Sequence, residues 1–347
     1  MPDTEVEFLN QSTGVFCCPR CGGELIGGSE RIDCRACAIS FGVVDGIPML
    51  FCPNDWDSSR EDVTNEIQSF YEKHPFPNYD DFDSVASLVD KSKAGVAGML
   101  DDQVPFGTRI LECGCGTGQL TNFLSIASRT VIGTDICLNS LRMAREFKVR
   151  SGLTRSQFYQ MNLFRPCFKP ASFDLVISNG VLHHTSDPAL AFRSIAGLVK
   201  PGGYIMIGLY HAYGRILTDL RRLIFNVTKD RFTFLDRRAV DAKSSVGKRV
   251  SWFMDQYKNP HESKHTVGEV LGWLDEAGFT FVHSLPKTVP FERTAHSERL
   301  FKPDKLGNRL QRFLVDIGMT FTGYREGGFF VVIAKKDLTA GVSVHSG

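Results

Sequence analysis

Two groups of residues in this 347-residue chain have types and spacings that do chemistry. The first is a pair of cysteine doublets, Cys18-x2-Cys21 in "CPRCGG" and Cys34-x2-Cys37 in "CRAC", with twelve residues between them. Four thiolates on two tight knuckles suit a tetrahedral Zn2+ ion, and with every position filled the metal is expected to be structural. Cys17 is the alternative to Cys18, although the two-residue spacing favours Cys18; a disulfide pairing is the competing reading. The second group is "ILECGCGTGQL", Ile110 to Leu120, in which Gly114, Gly116 and Gly118 follow Glu112 at the end of an apolar run. A turn this bare lets backbone N–H groups come close to a ligand. It departs from the dinucleotide fingerprint, whose third glycine would fall on Gln119, and it lacks the Gly-Lys-Ser/Thr ending of a phosphate loop. Cys113 and Cys115 within it are not read as a metal pair.

Elements must hold these groups in place. From 109 to 209 short apolar strands alternate with amphipathic helices: "RILEC", "TVIGTD", "FDLVISN" and "GYIMIGLY" are each preceded or followed by a helical stretch. That alternation means βαβ units around a parallel sheet. The helix "TVGEVLGWLDEAG" and the strands "FTFVHS" and "FFVVIAKK" complete the series. The expected fold is α/β: a Rossmann-like, seven-stranded, mostly parallel sheet with helices on both faces, plus an N-terminal zinc ribbon. The domain reading is a ribbon at 1–53, a linker and helical lid at 54–106, and an α/β domain at 107–337. Insertions interrupt that domain at about 211–262 and 285–326, and a tail follows at 338–347.

Composition narrows the function classes. A net charge of +1 argues against a chain-wide nucleic-acid footprint. No stretch has the apolar length of a membrane span. The opening "MPDTEVEFLNQ" lacks the order of a signal peptide, and ten cysteines kept as thiols point to a cytoplasmic setting.

The order acidic-x-Gly-x-Gly-x-Gly resembles motif I of the class I S-adenosylmethionine (SAM) methyltransferases, and the similarity runs from about 65 to 335. It implies that the glycine turn wraps the methionine half of the cofactor and that Asp135, in "VIGTDIC", takes the ribose hydroxyls. Ile136 is then placed against the adenine. "YQMNLF" corresponds to the stretch that meets the adenine amino group, with Asn162 where Asp is more frequent. "FDLVISNGVLHHTSDP" and "LVKPGGYIMIG" match the fourth-strand motif and the turn into strand five. The resemblance thus assigns Glu112, Gly114, Cys115, Gly116, Gly118, Asp135, Ile136, Asn162, Leu163, Asn179 and Gly180 to cofactor binding. The stretch "CRACAISFGVVDGIPMLF" resembles the zinc ribbons of small activator proteins that partner tRNA methyltransferases, over about residues 15 to 52. Such a ribbon either grips RNA or buttresses the catalytic domain, and buttressing is the favoured role.

On the acceptor side, a base is needed only where the nucleophile arrives protonated. His184 is the preferred candidate, His183 the second, with Tyr71 and His211 also considered; a structural histidine is the alternative at each. Phe70, Tyr71, His74, Phe76 and Tyr79 in "FYEKHPFPNYD" either form a lid whose rings shield a cation or merely pack on the sheet. After strand five, Tyr210, His211, Tyr213, Arg215, Arg221 and Arg222 cluster, and residues 215–250 hold ten Lys and Arg against four Asp and Glu. That excess suggests an anionic target, or only a solvated face. Asp255, His261, Glu262 and His265 either approach the acceptor, cap the helix starting near Thr266, or (the last three) hold a second metal. The resulting expectation is a SAM-dependent methyltransferase acting on oxygen or nitrogen of an anionic or aromatic small metabolite. An RNA-base methyltransferase and a non-catalytic SAM-binding scaffold are the alternatives.

Overall fold

The computed structural model describes residues 14–77, 84–93, 95–242, 244–292, 294–295, 298–323 and 328–338. Tyr79 of the lid cluster, Lys243 of the basic insertion and positions 339–347 of the expected tail lie outside the described residues. A small antiparallel sheet comes first, built from β1 (Leu25–Gly27), β2 (Arg31–Cys34), β3 (Ser40–Val44) and β4 (Ile47–Pro48) in that order. Seven strands form the main sheet: β5 (Arg109–Cys113), β6 (Thr130–Asp135), β7 (Ser156–Gln160), β8 (Phe173–Asn179), β9 (Val199–Tyr210), β10 (Phe279–Leu285) and β11 (Phe329–Lys336). Their spatial order is β10-β11-β9-β8-β5-β6-β7. Strands β5 to β9 pair in parallel, and β11 runs antiparallel to both β9 and β10. The chain reverses direction in strand order at β5, so the carboxyl ends of β5 and β8 open a crevice there.

Local chemistry fixes where the helices begin. Asp187 caps helix Pro188–Ala196, its carboxylate accepting from the Leu190 N–H at 2.8 Å, with Pro188 in the first turn where no N–H is needed. Thr266 caps Val267–Glu276 in the same way, accepting from Glu269 N–H. Helix Leu138–Arg150 borrows a carboxylate: Glu72, from helix Thr64–Lys73, accepts from the Leu138 and Asn139 N–H groups at 2.6 and 3.1 Å. That contact suits a helix N-terminus and ties the segment before the sheet to the end of β6.

The small sheet is no separate bead. Phe16 bridges to Phe168, Met49 to Gln160, and the Cys17 N–H donates to the Cys167 carbonyl at 3.0 Å. Ile32, Cys34, Phe41 and Leu50 share one buried cluster with Leu111 and Ile132 of the main sheet and with Phe168 between β7 and β8.

Under β5 and β6, Arg129 is 1% exposed. It donates to Asp101 Oδ1 at 2.6 Å and to the carbonyls of Asp101 and Val104 at 2.6 Å each, fastening helix Val96–Gln103 to the sheet. Removing the guanidinium strands buried acceptors. Arg129→Ala is expected to cost on the order of 3 kcal/mol in urea unfolding; an unchanged midpoint would show that the helix is held by apolar contacts alone.

Candidate functional site

A cavity of about 800 Å3 lies at the carboxyl ends of β5, β6, β8 and β9, a size within the range of small-ligand sites. Its floor is the bend between β5 and helix Gln119–Ser125. Gly114, Gly116 and Gly118 there have φ of +74°, +53° and +74°, a region that L side chains avoid. What a Cβ would strike is protein. At Gly114 it would lie 2.3 Å from Val181 Cγ2, at Gly116 2.2 Å from the Phe76 carbonyl oxygen, and at Gly118 2.6 Å from Ala144 Cβ. Gly118 does not line the cavity, whereas Gly114, Cys115 and Gly116 do.

The bend holds its acidic neighbour through the backbone. Asp135, ending β6, accepts from the Gly116 N–H at 2.8 Å and from the Cys137 N–H at 2.9 Å. Burial pushes its carboxyl above the ordinary value, against those backbone donors. Glu112 is buried, accepts from the Thr121 hydroxyl, and is pushed up to about 8 by burial, with the Asp135 charge adding to the shift. Ile136, Asn162, Leu163, Asn179 and Gly180 complete this end. Asn162 is anchored by donating to the Cys52 carbonyl and to Asn54 Oδ1, both at 2.9 Å, while its Oδ1 accepts from Phe164 N–H at 3.0 Å.

At the other end, Tyr71, His184, Tyr210, Asp255 and Gln256 gather against Phe329, Leu285 and Pro286. Tyr71 donates to Asp255 Oδ1 at 2.8 Å and accepts from Asn259 Nδ2 at 2.8 Å. Gln256 Nε2 donates to Asp255 Oδ2 at 2.8 Å and to the Tyr210 hydroxyl at 2.6 Å. Burial first, and the Asp255 charge next, raise both tyrosines and keep their hydroxyls protonated. His184 donates from Nδ1 to the His261 carbonyl at 2.9 Å, a partner that can only accept. Nε2 therefore carries the lone pair, and burial keeps the ring below its ordinary pKa and neutral.

His183 and His211 stand apart from the cavity. His183 stacks on Tyr210 with centroids 4.0 Å apart, and its Nδ1 accepts from Tyr210 N–H at 3.3 Å. His211 is 1% exposed and bonds Asp316 through Nε2 at 2.8 Å. Both rings are used inside the fold. His261, Glu262 and His265 do not converge on a metal: Glu262 meets Arg215 and Arg222, each at 2.8 Å, while His265 meets Ser263 and Glu269, each at 2.8 Å. Burial works against ionising Glu262, but the two guanidiniums hold its carboxyl below the ordinary value. Among the insertion's cations Arg215 and Arg222 are thus spent on Glu262, and Lys258 pairs with Asp230; just beyond it Lys264 pairs with Asp219. Of the insertion's cations, Arg238 lines the cavity.

Sequence reading gave no signal for Gln256 or Phe329 here, and marked Arg238 only as one of the ten cations of 215–250. Asp255 and Gln256 lie on a π-helical turn, Met254–Lys258, a wide turn found often at functional sites and invisible to 3.6-residue periodicity. In the N-terminal sheet, Cys18, Cys21, Cys34 and Cys37 bring their sulfurs within 4.8 Å of one another. Cys17 is not part of this cluster, and its N–H donates to the Cys167 carbonyl.

Residues 111–207 match the family model described as a methyltransferase domain. Within the seven-stranded sheet, residues 111–207 are thus similar to SAM-dependent methyltransferase domains, and the segment before them carries four cysteines in a zinc-ribbon pattern. An uncharacterized protein of a Synechococcus species is 29% identical over 198 residues, covering 50% of this chain and 48% of that one. A ubiquinone biosynthesis O-methyltransferase of Paracidovorax citrulli is 34% identical over 110 residues, covering 31% of this chain and 46% of that one. The chain therefore spans about half the length of these relatives. Among solved structures, a complex of the Haloferax volcanii Trm112 methyltransferase activator with a methyltransferase matches at TM-score 0.45 and 14% identity, covering 73% of this chain and 93% of that one.

The raised Glu112 value has a consequence for stability. A carboxyl that titrates at about 8 folded and about 4.5 unfolded holds its proton longer in the native state, so stability falls as pH rises between those values. Glu112→Gln is expected to remove this slope, gaining roughly 2–4 kcal/mol over the parent at about pH 9 and nothing at about pH 4 in urea unfolding.

Proposed function

We propose that the protein transfers a methyl group from SAM to a hydroxyl oxygen of an aromatic or otherwise apolar small molecule, with His184 as general base. The observation that supports it is the fixed tautomer of His184: Nδ1 is committed to a backbone carbonyl, so Nε2 is left as a neutral base on a ring that lines the cavity. Asp255, with acceptor capacity beside Tyr71, favours a substrate that brings hydrogen-bond donors. The relatives named for ubiquinone O-methylation point the same way.

The residues present fit the cofactor. The bend at Gly114–Gly116 would seat the methionine part, Asp135 would accept from the ribose hydroxyls, and Ile136 would lie on the adenine with Asn162 and Leu163 at its edge. Asn179 and Gly180 would close the floor. Bound SAM supplies an electrophilic methyl on a cationic sulfur. The chain orients the acceptor oxygen toward it, excludes water, and takes the hydroxyl proton onto His184 Nε2 as the oxygen–carbon bond forms and the sulfur–carbon bond breaks. The four cysteines would hold a structural zinc. Their closest sulfur pairs, 3.4 and 3.7 Å, approach the ~3.8 Å edge of a tetrahedron with ~2.3 Å bonds.

The sequence expectation of an anionic acceptor loses two of its cations, Arg215 and Arg222, which pair with buried Glu262. Label from SAM is expected in solvent-extractable small molecules of a cell extract; label in RNA would reverse the assignment. Asp135→Ala should weaken S-adenosylhomocysteine binding by about tenfold or more in calorimetry. His184→Ala should leave that binding intact and lower kcat by about 10²- to 10⁴-fold; a variant that turns over normally would remove the base from the scheme. Elemental analysis should find one zinc per chain, and less in Cys34→Ser.

A further inference from the structure

Exposed apolar side chains are concentrated in the two insertions. Of 22 large hydrophobics that face solvent in the described chain, 11 lie between 216 and 250 and 5 between 310 and 321. They are ordered. On helix Ile216–Thr228, Ile216, Leu220, Leu223 and Val227 recur at helical spacing, with Val227 75% exposed, while Thr218 and Phe225 face inward. On helix Arg309–Thr322, Leu310, Phe313, Ile317 and Phe321 make a second stripe, with Asp316 and Met319 inward. The start of the first helix meets the end of the second, since a Cβ on Gly323 would lie 2.9 Å from Gly214 Cα. Single exposed hydrophobics need no explanation, but two complete stripes on helices that meet end to end mark an interaction surface.

Charge selects the occupant. Lys229, Arg231 and Arg237 are exposed beside Phe232, Phe234 and Leu235, and no ion pair to them is formed among the described residues. The acids of the same stretch are tied up: Asp219 to Lys264, Asp230 to Lys258, and buried Asp236 to the Tyr257 hydroxyl at 2.5 Å. A second copy of the chain would set these cations against their own kind. A bilayer bearing anionic headgroups offers both hydrocarbon for the stripes and negative charge for the rim. Neither helix is long and apolar enough to cross a membrane, so they would lie in its surface.

We propose that this face docks on an anionic lipid surface. It is continuous with the cavity: Arg238 is exposed and lines the cavity, and the same insertion supplies Asp255 and Gln256. Docking would bring the acceptor end beside the bilayer, where an apolar acceptor dissolves. The docking itself does not depend on methyl transfer, and its test reads binding alone.

The experiment is flotation of the full chain with phosphatidylcholine vesicles, with and without roughly one-third phosphatidylglycerol. Anionic vesicles are expected to capture the chain about tenfold more strongly than neutral ones, and less so as salt rises. Leu220→Glu with Phe313→Glu should abolish capture, and Lys229→Glu with Arg231→Glu should lower it about tenfold on anionic vesicles. Both double variants should keep the parent's melting temperature and S-adenosylhomocysteine affinity. Equal affinity for both vesicle types, or capture that survives the Leu220 and Phe313 changes, overturns the proposal. So does a dimer in analytical ultracentrifugation that Leu220→Glu splits, which would assign the face to a second copy.

Discussion

A carboxylate at the end of a buried strand must find donors, and Asp135 finds two in the backbone. The Gly116 N–H reaches it across the bend after β5, and the Cys137 N–H reaches it from the start of the next helix. Both contacts require the strands to be adjacent and in register, which the pairing of Cys113 with Thr134 supplies. They also require the bend to turn left-handed at Gly114, Gly116 and Gly118. The glycines therefore serve the backbone path before they serve any ligand. Their missing side chains let Val181, the Phe76 carbonyl and Ala144 close in, so the cavity floor is set by the fold's own contacts.

The insertion after β9 shows how internal charge pairing can mislead a count of residues. Arg215 is fully buried, lies 3.8 Å over the Tyr210 ring, and is fixed by Glu262 and Gln256. Through Gln256 it steadies Asp255, and Asp255 steadies Tyr71. A cation that looked available for substrate is thereby part of the scaffold for a buried anion. Asp135 lies at one end of the cavity and Asp255 at the other, with Arg238 also on its lining, while Glu112, pushed up to about 8 by burial, keeps its proton at neutral pH.

The parts legible in the sequence were those with short-range signatures. Alternating apolar strands and helices gave six of the seven strands, all but β7, because burial on both faces writes itself into each strand separately. Cysteine spacing gave the cluster, because a knuckle is a local turn. The acceptor end was harder to read. Asp255 comes from a π-helical turn 184 residues after its partner Tyr71, and no periodicity links them. His183 and His184 are adjacent and alike in type, yet one stacks inward on Tyr210 and the other lines the cavity. Only the phase of the short 3-10 turn Leu182–His184 separates them, and that phase is fixed by contacts with β9 and with the His261 loop.

The ribbon's place follows from the same logic of shared burial. Its strands are short, and β1 presents no buried side chain, so its four strands could not form a core alone. The apolar residues it does bury, Ile32, Phe41 and Leu50, close over Phe168 and Tyr159 beside β7. From there the connection to the cavity is one residue deep: Asn162, which follows β7, donates to the carbonyl of Cys52 just past the ribbon and lines the cavity with its neighbour Leu163. Loosening the cysteine cluster would free the ribbon strands, expose the β7 side of the core, and release Asn162 from its anchor. A metal held by the four cysteines would in this way keep the Asn162 end of the cavity in shape.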